Sequence, residues 1–383
     1  MLKAIDLQRV LAIVIVTKFI LLCSVFLAFK WPGFCNYCHQ QNFIYPANEK
    51  TTWQTAYKTW DANHFLFLAD NGYTSSGVQK GKRAVSSNVM LPLFPALIAV
   101  AKKLLWNNSM LAGILLSNIC SLFGFVYFFK LVELLHNREI AFRSLAYASC
   151  FPTSFFFMRI YSESLFFLLA VLFFYNLYKG RYAFTALCGF LAPLTRLVGV
   201  LLFFPFLIHF ISQFKKNSLS CKSNKGKIFY IFSPLCGLGF LMLLMHGLTG
   251  NALESFSAQQ LRYSIWSIFD LPKWFVENFV SVKWALHGFT TSSFDRLAFL
   301  FYLLLLFRIY RSQDKSLFFY ALVMGIVPAL SDHFMSYSRF LIIIFPLYIQ
   351  LALSNFRHSL VQSLMFVCQI VLLCAHSLGY WVA

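Results

Sequence analysis

The chain has 383 residues, of which 59% are hydrophobic, 19% aromatic and only 12% charged, with 47 Phe and a mean hydropathy of +0.68. Ordinary soluble domains carry about 25% charged residues, so this composition excludes a water-solvated globule and makes lipid the solvent for most of the surface. The formal charge of +19, from 32 Lys+Arg against 13 Asp+Glu, reads in a multi-spanning chain as basic cytoplasmic loops beside anionic headgroups, not as a nucleic-acid surface.

The first apolar run, residues 10–29, lacks a small-residue cleavage site and is long enough to be a span. Residues 35–39 read CNYCH. A CxxCH could attach haem, hold a metal or close a disulfide; with no second Cys pair nearby, chance or a local disulfide is favoured. Further apolar segments follow at roughly 109–134, 140–157, 161–178, 182–194, 197–212, 228–248, 297–310, 316–330, 339–355 and 359–381. Several fall short of the ~20 residues of a straight span, which suits helices packed inside a bundle or lining a cavity.

The run 88–106 decides the topology. Pro92, Pro95, Lys102 and Lys103 suit an interfacial or re-entrant helix. With that placement Arg138, Arg143, Lys179, Arg181, the basic 213–227 loop, Arg308, Arg311, Lys315 and Arg357 all share a face with Lys3 and Arg9, as short cytoplasmic loops should. The expected fold class is therefore all-α: one polytopic membrane domain over residues 1–383, with about eleven transmembrane helices. A first extracytoplasmic loop, 30–108, carries interfacial helices, and a second spans 249–296.

Parity and charge alone then bring the polar stretches together on the other face. Asp61 and His64 share a helix face at i, i+3. Partial desolvation by Trp60 and Phe65 would raise the Asp61 pKa toward that of a general base, whereas the bland alternative is a helix N-cap. Glu163 in YSES opens an apolar helix, where it is either functional or a complement to the helix dipole. Arg196 stands between two half-length apolar runs, facing a phosphate or snorkelling to the interface. Gln259, Gln260 and Arg262 offer amides for sugar hydroxyls and a guanidinium for phosphate, and Arg339 joins the same face or anchors the interface. GxxxxGK[ST], HExxH and GxSxG are absent, so a nucleotide-driven pump, a zincin or a serine hydrolase has no visible site.

TWDANHFLFLADNGY (59–73), VMLPLFPALIAV, FPTSFFFMRIYSESLFFLLA, LCGFLAPLTRLVGVLLFFPF and YSRFLIIIFPLYIQLA together resemble the PIG-V family of membrane mannosyltransferases, over about residues 60–353. The resemblance implies a GT-C type helical bundle that uses a polyprenyl-phosphate-linked sugar. It makes Asp61 the catalytic base and places His64, Glu163, Arg196 and Arg339 at the other motif positions. Trp60, His64, Tyr161, Glu163, Gln259 and Gln260 are then expected to contact substrate, and Arg196, Arg262 and Arg339 the donor phosphate. No cofactor is expected; a divalent metal is compatible with the chemistry but not indicated by the residues. The expected partners are the polyprenyl-phosphate sugar donor, a lipid-linked or envelope glycan acceptor and membrane lipids. The expected location is a bacterial plasma membrane with the site facing outward, or else the endoplasmic reticulum facing the lumen. The alternatives from other classes are a lipid or sugar-lipid transporter and a non-catalytic subunit of a transferase complex. The segment NALESFSAQQ (251–260) matches the family only loosely.

Overall fold

The computed structural model describes residues 4–30, 33, 35, 43–47, 49, 52–74, 87–215, 225–260, 268–281, 292–330, 334, 336–382. The described chain is helical throughout, with no strands. Its main helices are α1 (Ala4–Ala28), α2 (Asp61–Asn71), α3 (Leu93–Lys102), α4 (Ser109–Leu135), α5 (Arg138–Cys150), α6 (Glu163–Tyr178) and α7 (Tyr182–Leu191). They continue as α8 (Phe203–Lys215), α9 (Ser233–Thr249), α10 (Glu254–Gln260), α11 (Ser293–Ser312), α12 (Lys315–Ala329), α13 (Pro346–Leu353) and α14 (His358–Ser377). Cys35 is disulfide-bonded; Cys38 and Arg262 lie outside the described residues.

Each of the eleven apolar segments is helical in the described residues, and the chain is a multi-pass membrane protein. Four stretches, Ala4–Ala28, Ser109–Leu135, Gly226–Thr249 and His358–Ser377, are long and apolar enough to cross a bilayer unaided. The shorter passes are completed by 3₁₀ turns: Ser154–Met158 after α5, Ala192–Leu194 after α7, and Leu197–Leu202 before α8. Such breaks are tolerable at membrane depth because neighbouring helices surround them. By contrast α3, at ten residues, is about 15 Å long, half a hydrocarbon core. It cannot span alone, and Lys102 at its end is tied to Asp70 of α2 at 2.7 Å.

The core is a web of aromatic rings, which is where much of the Phe content goes. Phe174, Tyr320 and Phe345 form a triangle with centroids 5.1–5.3 Å apart, in the edge and stacked geometries that rings prefer. By comparison α1 buries only a stripe, Val10, Val14, Leu21 and Val25, and leaves Ile15, Val16, Phe19 and Phe26 exposed. That is the profile of a helix at the lipid-facing rim.

Polar contacts sort to the two ends of the bundle. At one end Arg138 pairs with Asp6, Tyr147 meets His358 at 2.8 Å, and Tyr178 donates to Asp314 at 3.0 Å. At the other, Asn88 donates to Glu254 at 2.7 Å, Thr59 contacts His376 at 3.3 Å, and the acids and arginines of the motifs meet. Arg9, Arg143, Lys179, Arg181, Arg308, Arg311 and Arg357 lie near the helix termini of the first end.

Candidate active site

Two close backbone approaches set the position of Arg196. A Cβ on Gly199 would stand 2.4 Å from the Ala192 carbonyl carbon, and one on Gly237 of α9 only 2.2 Å from the Phe190 oxygen. Only glycine lets the 3₁₀ turn fold back on Ala192 and α9 reach α7. Beneath this knot Leu91, Leu194, Leu241 and Met245 form a small apolar cluster of their own. Arg196, extended between the two 3₁₀ turns, is held at the mouth.

Asp61 is the first residue of α2 and Trp60 is its cap, so the N-cap alternative does not describe Asp61. Trp60 has φ +57 and ψ −126, a left-sided backbone conformation that is costly for a residue with a Cβ. The turn into Asp61 is thus strained, and it is pinned from outside. Arg159, fully buried, donates to the Ala56 carbonyl at 2.8 Å, bonds Ser377 Oγ, and lies 4.7 Å from the Tyr57 ring centre.

These elements enclose a cavity of about 200 Å³ lined by Asp61, Tyr161, Glu163, Arg196, Gln259 and Arg339 among others. Its charges alternate. Arg339 Nη1 meets Asp61 Oδ2 at 2.9 Å and Arg339 Nε meets Glu163 Oε1 at 3.2 Å; Arg196 Nη1 reaches the same Oε1 at 2.8 Å. Glu163 is nearly sealed, with its side chain 2% exposed, yet the guanidinium contacts lack hydrogen-bond geometry and neither of its oxygens accepts a bond from the described residues. A buried carboxylate in that condition is held by charge and retains directional capacity for a ligand. Both guanidiniums are backed by rings: Phe340 lies 4.9 Å from Arg196, and Tyr161 5.3 Å from Arg339.

The remaining wall combines small hydroxyls, Ser162, Thr195 and Ser336, with an apolar side of Leu197, Val198, Val327 and Pro328. Gln259 is brought in because Glu254 of the same helix docks on Asn88, beside the Val89–Leu91 wall. Among the described residues no group of three or more His, Cys, Asp or Glu could hold a metal ion.

Of the residues expected to contact substrate, His64, Trp60 and Gln260 do not line this cavity. His64 is buried with Nδ1 2.8 Å from Ser87 Oγ and its ring stacked on Phe43 at 4.7 Å. These two contacts, with Ser87 and Phe43, decide where the imidazole goes. The Trp60 ring packs edge-on against Trp381 at 4.7 Å, while Gln260 is one residue, about 100° of helix, from Gln259. Tyr161 lines the wall but is 1% exposed and donates to the Thr59 carbonyl at 3.3 Å. It supports Arg339 more than it meets solvent.

Sequence reasoning missed a clamp on Arg339. The Ser338 amide donates to Asp295 Oδ1 at 2.7 Å, and the Ser338 carbonyl accepts from Thr153 Oγ1 at 2.8 Å, fixing both sides of the peptide next to Arg339. All three residues are buried. Locally, Ser292 and Asp295 read as a capping pair, and Ser292 does accept from the Asp295 amide at 3.1 Å; the long-range bond carries no sequence signal. We expect Asp295→Ala, which orphans a buried amide, to cost about 1–3 kcal/mol and to weaken any phosphate binding by Arg339. Asp295→Asn keeps an acceptor and should retain most of both. Thermal unfolding together with a ligand titration checks this, and equal behaviour of the two variants would rule the clamp out.

No family model and no curated protein sequence matches the chain. Its fold matches solved structures. ArnT from Cupriavidus metallidurans, determined bound to undecaprenyl phosphate, is similar with a TM-score of 0.50 and 12% identity over 94% of this chain and 64% of that one. The oligosaccharyltransferase AglB from Archaeoglobus fulgidus, determined with an inhibitory peptide and a dolichol-phosphate, gives 0.43 and 10% over 95% and 56%. The chain thus spans less than two thirds of the length of either. At these identities the likeness is one of fold: the chain has the GT-C membrane glycosyltransferase fold.

Proposed function

We propose that the chain is an inverting glycosyltransferase that moves mannose, or a similar hexose, from a polyprenyl-phosphate donor to a hydroxyl of a lipid-linked or envelope acceptor. The observation that carries the reading is the juxtaposition of Asp61 with Arg339, and of both with Glu163 and Arg196, in one cavity of a GT-C fold. The cavity is below the roughly 300–1,000 Å³ of pockets that engulf a drug-sized ligand, so it suits a sugar-phosphate head with the polyprenyl chain left in the bilayer. Its apolar side, Leu197, Val198, Val327 and Pro328, is where such a chain would leave.

In this reading the arriving donor phosphate competes with Asp61 and Glu163 for the two guanidiniums. Arg339 turns toward the phosphate and Asp61 is released. An acceptor hydroxyl is far too weak an acid to ionise at neutral pH, so Asp61 takes its proton as the oxygen bonds the anomeric carbon. The carbon–oxygen bond to phosphate breaks on the opposite side, and the polyprenyl phosphate departs with its added charge facing Arg196 and Arg339. The hydroxyls of Ser162, Thr195 and Ser336 and the Gln259 amide are positioned to meet the sugar. ArnT was solved with undecaprenyl phosphate, which is consistent with a lipid-phosphate donor here. The resemblance of the motifs to the PIG-V family is the reason for naming mannose.

We place the site on the extracytoplasmic side of a plasma membrane, because the opposite end of the bundle gathers the basic residues. Cysteines introduced at Lys102 and His136 should label from opposite sides of sealed vesicles; labelling of both from one side would refute that orientation. The activity itself is tested by incubating membranes containing the protein with radiolabelled polyprenyl-phosphate mannose, glucose and galactose in turn. Label should pass from one donor to a second lipid or glycan, mannose first. Label that crosses the bilayer still on its original carrier would identify a transporter instead.

A further inference from the structure

At the basic end of the bundle a second concavity opens between α5 and the turn joining α13 to α14. It has a volume of about 480 Å³ and is lined by Ile140, Arg143, Leu353, Asn355, Arg357 and His358, among others. None of its lining residues belongs to the cavity described above. Two guanidiniums and an imidazole therefore share one small hollow. The Nδ1 of His358 is held by Tyr147 at 2.8 Å, which fixes the ring at the wall.

Two further features bear on what the hollow takes. It lies at the start of α14, a 20-residue helix whose cap, Arg357, makes no side-chain capping bond. The first-turn amides have no intrahelical acceptor, and the positive end of the helix dipole is there. From the same point Phe356, Leu360, Leu364, Val367 and Val371 run down the bundle, all exposed. Within α14 the steps of four, three and four residues put Leu360, Leu364, Val367 and Val371 in one stripe, with Phe356 just ahead of the helix. Cationic groups at the top of an apolar stripe match a molecule with an anionic head and hydrocarbon chains. The local acid is Glu139, which bonds Arg143 through one guanidinium nitrogen and is itself 70% exposed at the side chain, so an incoming phosphate exchanges a solvated partner.

We propose that this hollow is a headgroup site for an anionic glycerophospholipid of the adjacent leaflet, with the phosphate between Arg143 and Arg357 and the acyl chains along the α14 stripe. A soluble phosphate would meet the same cations but gain nothing from the stripe. The site is independent of the glycosyl-transfer reading and holds whether or not that reading does.

The test is native mass spectrometry of the full-length protein in detergent, titrated with dioleoyl phosphatidylglycerol, dioleoyl phosphatidylcholine or inorganic phosphate. The comparison variants are Arg143→Gln/Arg357→Gln, the single Arg357→Gln, and Arg143→Lys/Arg357→Lys. Each arginine near an anionic lipid is worth about fivefold in binding. Phosphatidylglycerol affinity should therefore fall roughly fivefold in the single variant and about 25-fold in the double glutamine variant, be retained in large part by the lysine pair, and exceed that of phosphatidylcholine. Arg357 is exposed, so the single variant gives a reading even should the double one misfold. Equal phosphatidylglycerol binding by wild type and Arg357→Gln would overturn the proposal. So would displacement of the lipid by millimolar phosphate, which would make the site one for a free anion.

Discussion

Arg339→Leu is expected to destabilise the protein by about 3–5 kcal/mol, the cost of removing one partner from a buried ion pair. Arg339 touches two carboxylates, Asp61 at 2.9 Å and Glu163 at 3.2 Å, and the Glu163 side chain is only 2% exposed. Without it Glu163 keeps Arg196, and Asp61 loses the Arg339 contact, in a small cavity. The same substitution takes away half of the proposed donor-phosphate clamp, for which about 10²–10³ in turnover is a fair scale. Arg339→Lys separates the two effects. Its charge survives, so stability should fall less, but a point charge cannot reproduce the fork that meets Asp61 through Nη1 and Glu163 through Nε. Turnover of the lysine variant should stay close to that of the leucine one. Thermal unfolding beside a transfer assay gives both numbers, and a lysine variant with full turnover would argue against bidentate use of Arg339.

Asp61→Asn addresses the chemistry. The amide is nearly isosteric and its oxygen can still accept from Arg339 Nη1, so the fold and the cavity should persist. It cannot take a proton, and turnover should fall by about 10²–10⁴. Removing a negative charge from beside the arginines should leave donor binding at least as tight, since the phosphate no longer competes with a carboxylate. A transporter with the same cavity would tolerate this change with little loss.

How far the sequence alone reaches can be judged residue by residue. Asp61, Glu163, Gln259, Arg196 and Arg339 come from five separated stretches, yet all reach one cavity. Helix parity combined with the positive-inside bias is enough to put their segments at one end, because apolar length and charge are read locally. The pairing among them is not legible. Nothing local says that Arg339 bridges Asp61 and Glu163, or that Glu163 faces both arginines. His64 shows the limit of spacing arguments: i, i+3 proximity to Asp61 is real, but the Phe43 ring and the Ser87 hydroxyl decide where the imidazole goes. Asp295 shows another, since a capping pattern hides a bond to Ser338, 43 residues away. The ten-residue α3 is short, as its prolines and lysines suggest.

The measurement that bears most directly on the central claim follows labelled polyprenyl-phosphate mannose in membranes carrying Asp61→Asn, recording bound donor and transferred sugar in the same sample beside wild type. The account predicts donor held at wild-type level or above, with transfer reduced at least about a hundredfold. Transfer equal to wild type would take Asp61 out of the mechanism and contradict the account.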